Sequence, residues 1–147
     1  MQARDIMTAP AFTVRDTATV GEAAAVLAEH RISALPILDA QDRLVGILTH
    51  TDFFLHPIRY PGAEGSLFEL LGSLVGPDNL EHAARELKRR SVRDVMSKPV
   101  TTIREDTPVG EIARIMIKEK RKRLPVTRDG MVVGIVCRHD FLKLLAD

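Results

Sequence analysis

The sequence predicts an α/β fold in which two copies of one unit pack as a single pseudo-symmetric body, with a two-helix insertion between them. Three observations predict it. The stretch from Arg4 to Phe53 recurs, conservatively rewritten, from Arg93 to Phe141. Each copy carries a helical apolar stripe followed by two short apolar runs around a turn. The stretch 56–91 between the copies has helical patterns of its own.

The repeat aligns with one deletion. Arg4-Asp5-Ile6-Met7-Thr8-Ala9-Pro10 lies over Arg93-Asp94-Val95-Met96-Ser97-Lys98-Pro99, Val20-Gly21-Glu22 over Val109-Gly110-Glu111, and Leu35-Pro36-Ile37 over Leu124-Pro125-Val126. One residue is lost in the turn, where Ala40-Gln41-Asp42 becomes Asp129-Gly130. Val45-Gly46-Ile47 then falls on Val133-Gly134-Ile135, and Asp52-Phe53 on Asp140-Phe141. A unit of about 50 residues buries too little apolar surface to be comfortably stable alone, so the copies are expected to fold together.

The elements follow in order. Val20, Ala23, Ala24, Leu27 and Ala28 make one helical stripe, and Val109, Ile112, Ala113, Met116 and Ile117 make its counterpart. Thr19 with Glu22 has capping-box spacing, while Thr107-Pro108 offers a cap with proline at the first helical position. Ala34 to Leu38 and Leu44 to Leu48 read as a hairpin, as do Leu124 to Thr127 and Met131 to Val136. A further helix begins near His50 and near Arg138. In the insertion, Pro57, Pro61, Gly62 and Gly65 break regular structure. Leu67, Leu70, Leu71, Leu74 and Val75 then form a helical stripe, and a second helix begins at Asp78-x-x-Glu81 with Leu80, Ala83, Ala84 and Leu87 on one face.

Composition excludes several classes. Twenty-one Lys and Arg against twenty Asp and Glu give a net charge of +1, no global argument for a nucleic-acid or membrane partner. The single cysteine, Cys137, rules out an internal disulfide and fits a reducing compartment. Met1-Gln2-Ala3-Arg4-Asp5 has no apolar leader, and no apolar run approaches the roughly 20 residues that span a bilayer. A soluble cytoplasmic protein is expected.

A start of the form Asp-Val/Ile-Met-Thr/Ser-x-Pro, an amphipathic helix, a Leu-Pro-Val/Ile strand, a Val-Gly-Ile strand and a closing Asp-Phe, all occurring twice, resemble the CBS domain, named after cystathionine β-synthase, as a tandem pair or Bateman module. The resemblance places one CBS repeat at 1–55 and the other at 92–147, outside the insertion at 56–91. It implies two small sheets backed by helices with pseudo-two-fold symmetry, clefts between the repeats, and frequent dimerisation. It also implies a regulatory rather than catalytic role, sensing an adenosyl ligand such as AMP, ADP, ATP or S-adenosylmethionine.

The residues allow a chemical reading beside the resemblance. Gly46-Ile47-Leu48-Thr49-His50-Thr51-Asp52 runs a strand into a helix start, where backbone N–H groups favour an anion. Asp52 offers two acceptors for ribose hydroxyls, and the Thr49 hydroxyl can donate to a phosphate. The plainer alternative is that Thr49 or Thr51 caps the helix and Asp52 complements its dipole. In the second copy Asp140 keeps its acceptors, Cys137 replaces the threonine, and Arg138 and His139 supply charge or lie on a solvated face. The family's adenine-lining stretch, often Gly-x-x-x-hydrophobic-Pro, is Arg31 to Pro36 here, then Lys120 to Pro125; both lack the glycine. Ile32, Ala34 and Pro36 make an apolar slot suited to a purine, whereas Arg121 and Arg123 precede Pro125 and suit a more anionic ligand, or belong to a solvated helix end.

Other classes fare less well. Cys137-x-His139, with His50 and Asp140 as additions, falls short of the four-ligand spacing of structural zinc, so neither metal nor cofactor is expected. No catalytic motif stands out. The basic runs Lys88 to Arg93 and Lys118 to Arg123 suggest a nucleic-acid face, but one tyrosine and no tryptophan offer little to read bases. An oligomerisation scaffold with empty clefts is the remaining alternative. The expectation is therefore a ligand-sensing module, homodimeric through faces such as the Leu67 to Val75 stripe, and coupled to an unidentified regulated protein.

Overall fold

The computed structural model describes residues 1–55, 57–60, 63–66 and 77–146. The first repeat runs α1 (Ala3–Ile6), β1 (Val14–Arg15), α2 (Val20–His30), β2 (Ala34–Leu38), β3 (Leu44–Thr49) and α3 (His50–Leu55). Between the repeats lie β4 (Pro57–Tyr60), β5 (Ala63–Ser66) and α4 (Pro77–Arg89). The second repeat runs α5 (Val92–Val95), β6 (Ile103–Arg104), α6 (Val109–Lys118), β7 (Arg123–Arg128) and β8 (Met131–Cys137), and closes on a 3-10 helix (Arg138–Leu144). The fold is thus α/β, with two small three-stranded sheets backed by helices.

Each sheet has the same topology. β1 lies parallel to β2, and β2 antiparallel to β3; β6, β7 and β8 repeat the arrangement. Both hairpins carry a register shift at matching places, after Ile37 and after Val126. The hairpins sit where the apolar runs predict them, because Leu35, Ile37, Leu48, Leu124, Val126 and Val136 must all leave water. β1 and β6 were not expected; two residues are too few to show a period.

The helix starts differ between the copies. The Glu22 N–H donates to Thr19 Oγ1 at 3.2 Å, a cap worth about 1 kcal/mol. The predicted Thr107 cap is corrected. The Thr107 hydroxyl instead accepts from the Arg104 N–H at 2.9 Å and closes the preceding turn, leaving Pro108 at the N-cap with extended φ and ψ. The C-terminal ends agree. Arg31 and Lys120, which follow α2 and α6, have φ of 52° and 54°. This left-handed conformation is the one glycine adopts without cost, and it follows here from the end of each helix.

The insertion departs from expectation. The Pro57 to Gly65 stretch, read as irregular, forms an antiparallel hairpin pairing Pro57 with Ser66 and Tyr60 with Ala63. Pro57 is tolerated because it opens its strand, where no ladder N–H is needed. The helix expected over Leu67 to Val75 lies outside the described residues. α4 starts one residue before the predicted cap, and Ala83 and Leu87 are buried against Val20, Ala23 and Leu27 of α2. This helix therefore completes the core of the first repeat. The last helix of each repeat begins where predicted, but at Arg138 it is 3-10 rather than α.

The two cores exchange their opening segments. Ala3 and Ile6 are buried among Ile103, Ile112, Leu124 and Val136 of the second repeat. Val92 and Val95 are buried among Leu27, Leu35, Ile37 and Leu48 of the first. Backbone bonds fasten both. Thr8 and Ile135 exchange N–H to carbonyl bonds at 2.9 and 3.0 Å, and Ser97 and Ile47 do the same at 2.9 and 3.0 Å. The segments also complete the partner's helices: the Val20 N–H donates to the Arg90 carbonyl at 2.8 Å, and the Val109 N–H to the Met1 carbonyl at 3.1 Å.

This close approach depends on two glycines. A Cβ at Gly134 would stand 2.8 Å from Met7 Sδ and 2.9 Å from the Thr8 carbonyl oxygen, and one at Gly46 would collide with the Met96 side chain. Gly134→Ala should cost about 1–3 kcal/mol in urea denaturation, because backbone as well as side chain must move. Gly110→Ala, in α6 with nothing within 4 Å of the added methyl, should be neutral or stabilising by up to about 1 kcal/mol. Equal destabilisation by both would show that the approach at β8 is not tight.

Candidate functional site

The exchange decides which residues share a cleft. Because Thr8 pairs with Ile135, the opening of the first repeat lies over β8 of the second, and a cavity of about 190 Å³ forms there. Its wall includes Thr8, Phe12, Ile32, Ala34, Cys137 and His139. Ala34 stays opposite Thr49 in the β2–β3 pair, and the cavity brings it and Ile32 to the Cys137 turn of the other copy as well. Arg123 stands beside the junction, half-buried, its Nε donating to Ser33 Oγ across the repeats at 2.7 Å.

The strand-to-helix turns are built alike. The Thr49 N–H and hydroxyl donate to Asp52 Oδ2 at 2.8 and 3.2 Å, and the Cys137 N–H donates to Asp140 Oδ2 at 2.7 Å. One carboxylate oxygen thus closes each turn, with the Thr49 hydroxyl donating to Asp52 rather than capping the helix as an acceptor. The next amides are taken too: the His50 N–H donates to the Ser33 carbonyl at 3.3 Å and the Arg138 N–H to the Lys122 carbonyl at 3.1 Å. The N–H groups of Thr49, His50, Cys137 and Arg138 are therefore not free for an anion, which corrects that expectation at these positions.

The second oxygen distinguishes the two aspartates. Asp52 Oδ1 accepts from the Ser97 hydroxyl at 2.9 Å, a bond from the other repeat's opening segment. Asp140 is buried, with Oδ1 3.5 Å from His139 Nε2 and 3.8 Å from Lys143 Nζ. Lys143 also donates to the Ile6 carbonyl at 2.5 Å, so each aspartate lies next to the segment that the other repeat contributes.

The remaining candidates separate. Pro36 and Pro125 are fully buried in their strand pairs and absent from the cavity wall. Arg121 and Arg138 are exposed, as is His139 at the cavity. Thr8, Phe12, Ser33 and Ser97 were missed. Thr8 and Ser97 occupy matching places in the repeat, the one signal available for them; Phe12 and Ser33 have no counterpart of their own kind. Burial, then the neighbouring Asp140 carboxylate, push the Cys137 thiol above its ordinary range, against a smaller opposing effect of Arg123. Among the described residues no group of three or more His, Cys, Asp or Glu is placed to hold a metal ion, and no helix is long and apolar enough to cross a membrane.

Comparison with known proteins agrees with this architecture. The family model described as CBS domain matches residues 3–58 and 92–147. The chain is 31% identical over 143 residues to inosine-5'-monophosphate dehydrogenase of Methanocaldococcus jannaschii, covering 97% of this chain but 23% of that enzyme's length. Among solved structures, the CBS domain of a CBS domain containing membrane protein from Sphaerobacter thermophilus is similar with a TM-score of 0.77 and 34% identity, covering 98% of this chain and 87% of that one. The CBS domain pair of protein MJ0100, solved in complex with 5'-methylthioadenosine and S-adenosyl-L-methionine, has a TM-score of 0.71 and 29% identity, covering 99% of this chain and 95% of that one.

The thiol offers a direct probe of the cavity. Alkylation of Cys137 by iodoacetamide should be slower at neutral pH than for an unperturbed thiol of pKa about 8.5, with its rate midpoint at higher pH. Denaturation should return the midpoint to the ordinary value. A midpoint at or below that value in the native protein would contradict the burial of this side chain.

Proposed function

This chain belongs to the CBS-domain family, and from that premise we propose that it is a regulatory module binding an adenosyl ligand between its repeats and passing occupancy to a partner protein. The observation that carries the proposal is the cavity where the opening of one repeat meets the Asp140 turn of the other. Apolar Ile32 and Ala34 suit a purine. Asp140 offers an acceptor to ribose hydroxyls, and Arg123 a guanidinium to phosphate or carboxylate. The MJ0100 pair, similar throughout its length, holds 5'-methylthioadenosine and S-adenosylmethionine, which supports the ligand class. For this chain the candidates are AMP, ADP, ATP and S-adenosylmethionine.

Regulation would follow from the exchange. A ligand touching both an opening segment and the opposing turn binds better to one relative placement of the repeats than to another, and only that difference in affinity shifts the population. The role proposed is sensing rather than catalysis, in the cytoplasm. An empty scaffold is the reading this must beat.

Calorimetry with AMP, ADP, ATP and S-adenosylmethionine tests it. At least one should bind, and Asp140→Ala should weaken it by about 1.5–3 kcal/mol, the scale of hydrogen bonds to a charged group. Arg123→Ala should cost ATP more than AMP, with the difference shrinking at high salt, because a cation matters more as ligand charge rises. No binding at millimolar ligand would favour the scaffold, and unchanged binding in an Asp52→Ala, Asp140→Ala double variant would remove both turns from the site.

The assembly proposed is a homodimer. Ile117, Leu142 and Leu145 are 75%, 63% and 82% exposed, apolar surface whose burial is worth about 25 cal/mol per Å². Sedimentation at tens of micromolar should give twice the chain mass; a stable monomer would refute the dimer while leaving ligand binding intact.

A further inference from the structure

We propose that Phe12 is the stacking platform for the ligand's base, so that the two clefts are unequal and the base enters the Asp140 cleft alone. This rests on the reading that the chain binds an adenosyl ligand. Phe12 lines the cavity and is 43% exposed, an aromatic ring that the fold has not buried. One face is covered by His30, with ring centroids 3.9 Å apart and planes within 19°. The ring is thereby held on one face while the side chain stays exposed at the cavity, an arrangement that suits a planar base.

The other repeat replaces this pair. Thr101 and Glu119 stand where Phe12 and His30 stand, and there the Thr101 hydroxyl donates to the Glu119 carboxylate. The same two positions touch in both repeats, through ring faces in one and through a hydrogen bond in the other. A carboxylate beside Lys120, Arg121 and Lys122 makes a polar rim with no π-face to stack on. The aspartates follow the same division. Asp52 Oδ1 is already bonded to Ser97, so a ribose there must break a bond between repeats, whereas Oδ1 of Asp140 has the longer contacts to His139 and Lys143. The volume of about 190 Å³ lies below the roughly 300 Å³ at which common ligand pockets begin, so the cavity takes a ring system and leaves the remaining ligand at its mouth.

The probe is 5'-methylthioadenosine, which carries no phosphate and so separates stacking from charge. Calorimetry on the native chain should give one molecule bound per chain. Phe12→Ala and Phe12→Leu should each weaken it about tenfold, within the range of a lost base–aromatic stack, and Thr101→Ala should leave it unchanged. Phe12→Trp should retain affinity, and because the chain has no tryptophan of its own the new indole is a sole reporter whose emission the bound base should quench. Full affinity in Phe12→Ala, an unquenched Phe12→Trp at saturation, or a loss confined to Thr101→Ala would overturn the inference while leaving the sensing role standing. Failure of the native chain to bind the probe while it binds AMP would overturn the inference alone; failure to bind any adenosyl ligand would overturn both.

Discussion

The close passage of each opening segment over the opposing β-hairpin is the constraint on which the rest of this structure depends. Gly46 and Gly134 admit Met96 and Met7 to space that a methyl group would fill. That approach permits the paired backbone bonds at Ser97–Ile47 and Thr8–Ile135, which in turn deliver Val92, Val95, Ala3 and Ile6 into cores their own repeats do not supply. Removing one such fully buried side chain, Ile6 for example, takes a share of about 2–5 kcal/mol from the opposite core. Neither repeat is therefore a complete folding unit, and stability and the inter-repeat cleft have one origin.

Much of the architecture was legible because burial has a period. Leu35, Ile37, Leu48 and their counterparts announce the hairpins, and Val20, Ala23 and Leu27 announce α2. Periodicity reports which face is buried but not against what. Ile6 reads as apolar in either arrangement, so the exchange was hidden, and with it the meeting of Ile32 and Ala34 with Cys137. The aspartates were legible as acceptors, but the division of labour between their oxygens was not, since it depends on Ser97, more than forty positions from Asp52. Arg31 and Lys120 show the converse: their left-handed backbone is set by the end of a helix, and nothing in an arginine or a lysine advertises it.

Duplication supplied the symmetric frame, and single substitutions within it made the clefts different. Thr49 corresponds to Cys137, Ala34 to Arg123, and the Phe12–His30 pair to Thr101 and Glu119. None of these changes touches the glycines or the opening bridges. The walls of the clefts differ between the repeats while the fastening between them has been kept, as expected if the fastening tolerates less change than the wall.

The exchange also bears on how the chain is made. Synthesis delivers α1 well before the strands β7 and β8 that bury Ala3 and Ile6, and the first repeat must likewise wait for Val92 and Val95. The residues of α1 are thus seated long after they are made. Cooperative folding of the pair is deferred until both repeats are free, and the nascent first repeat is left with an apolar gap in the meantime, the condition under which chaperones are recruited.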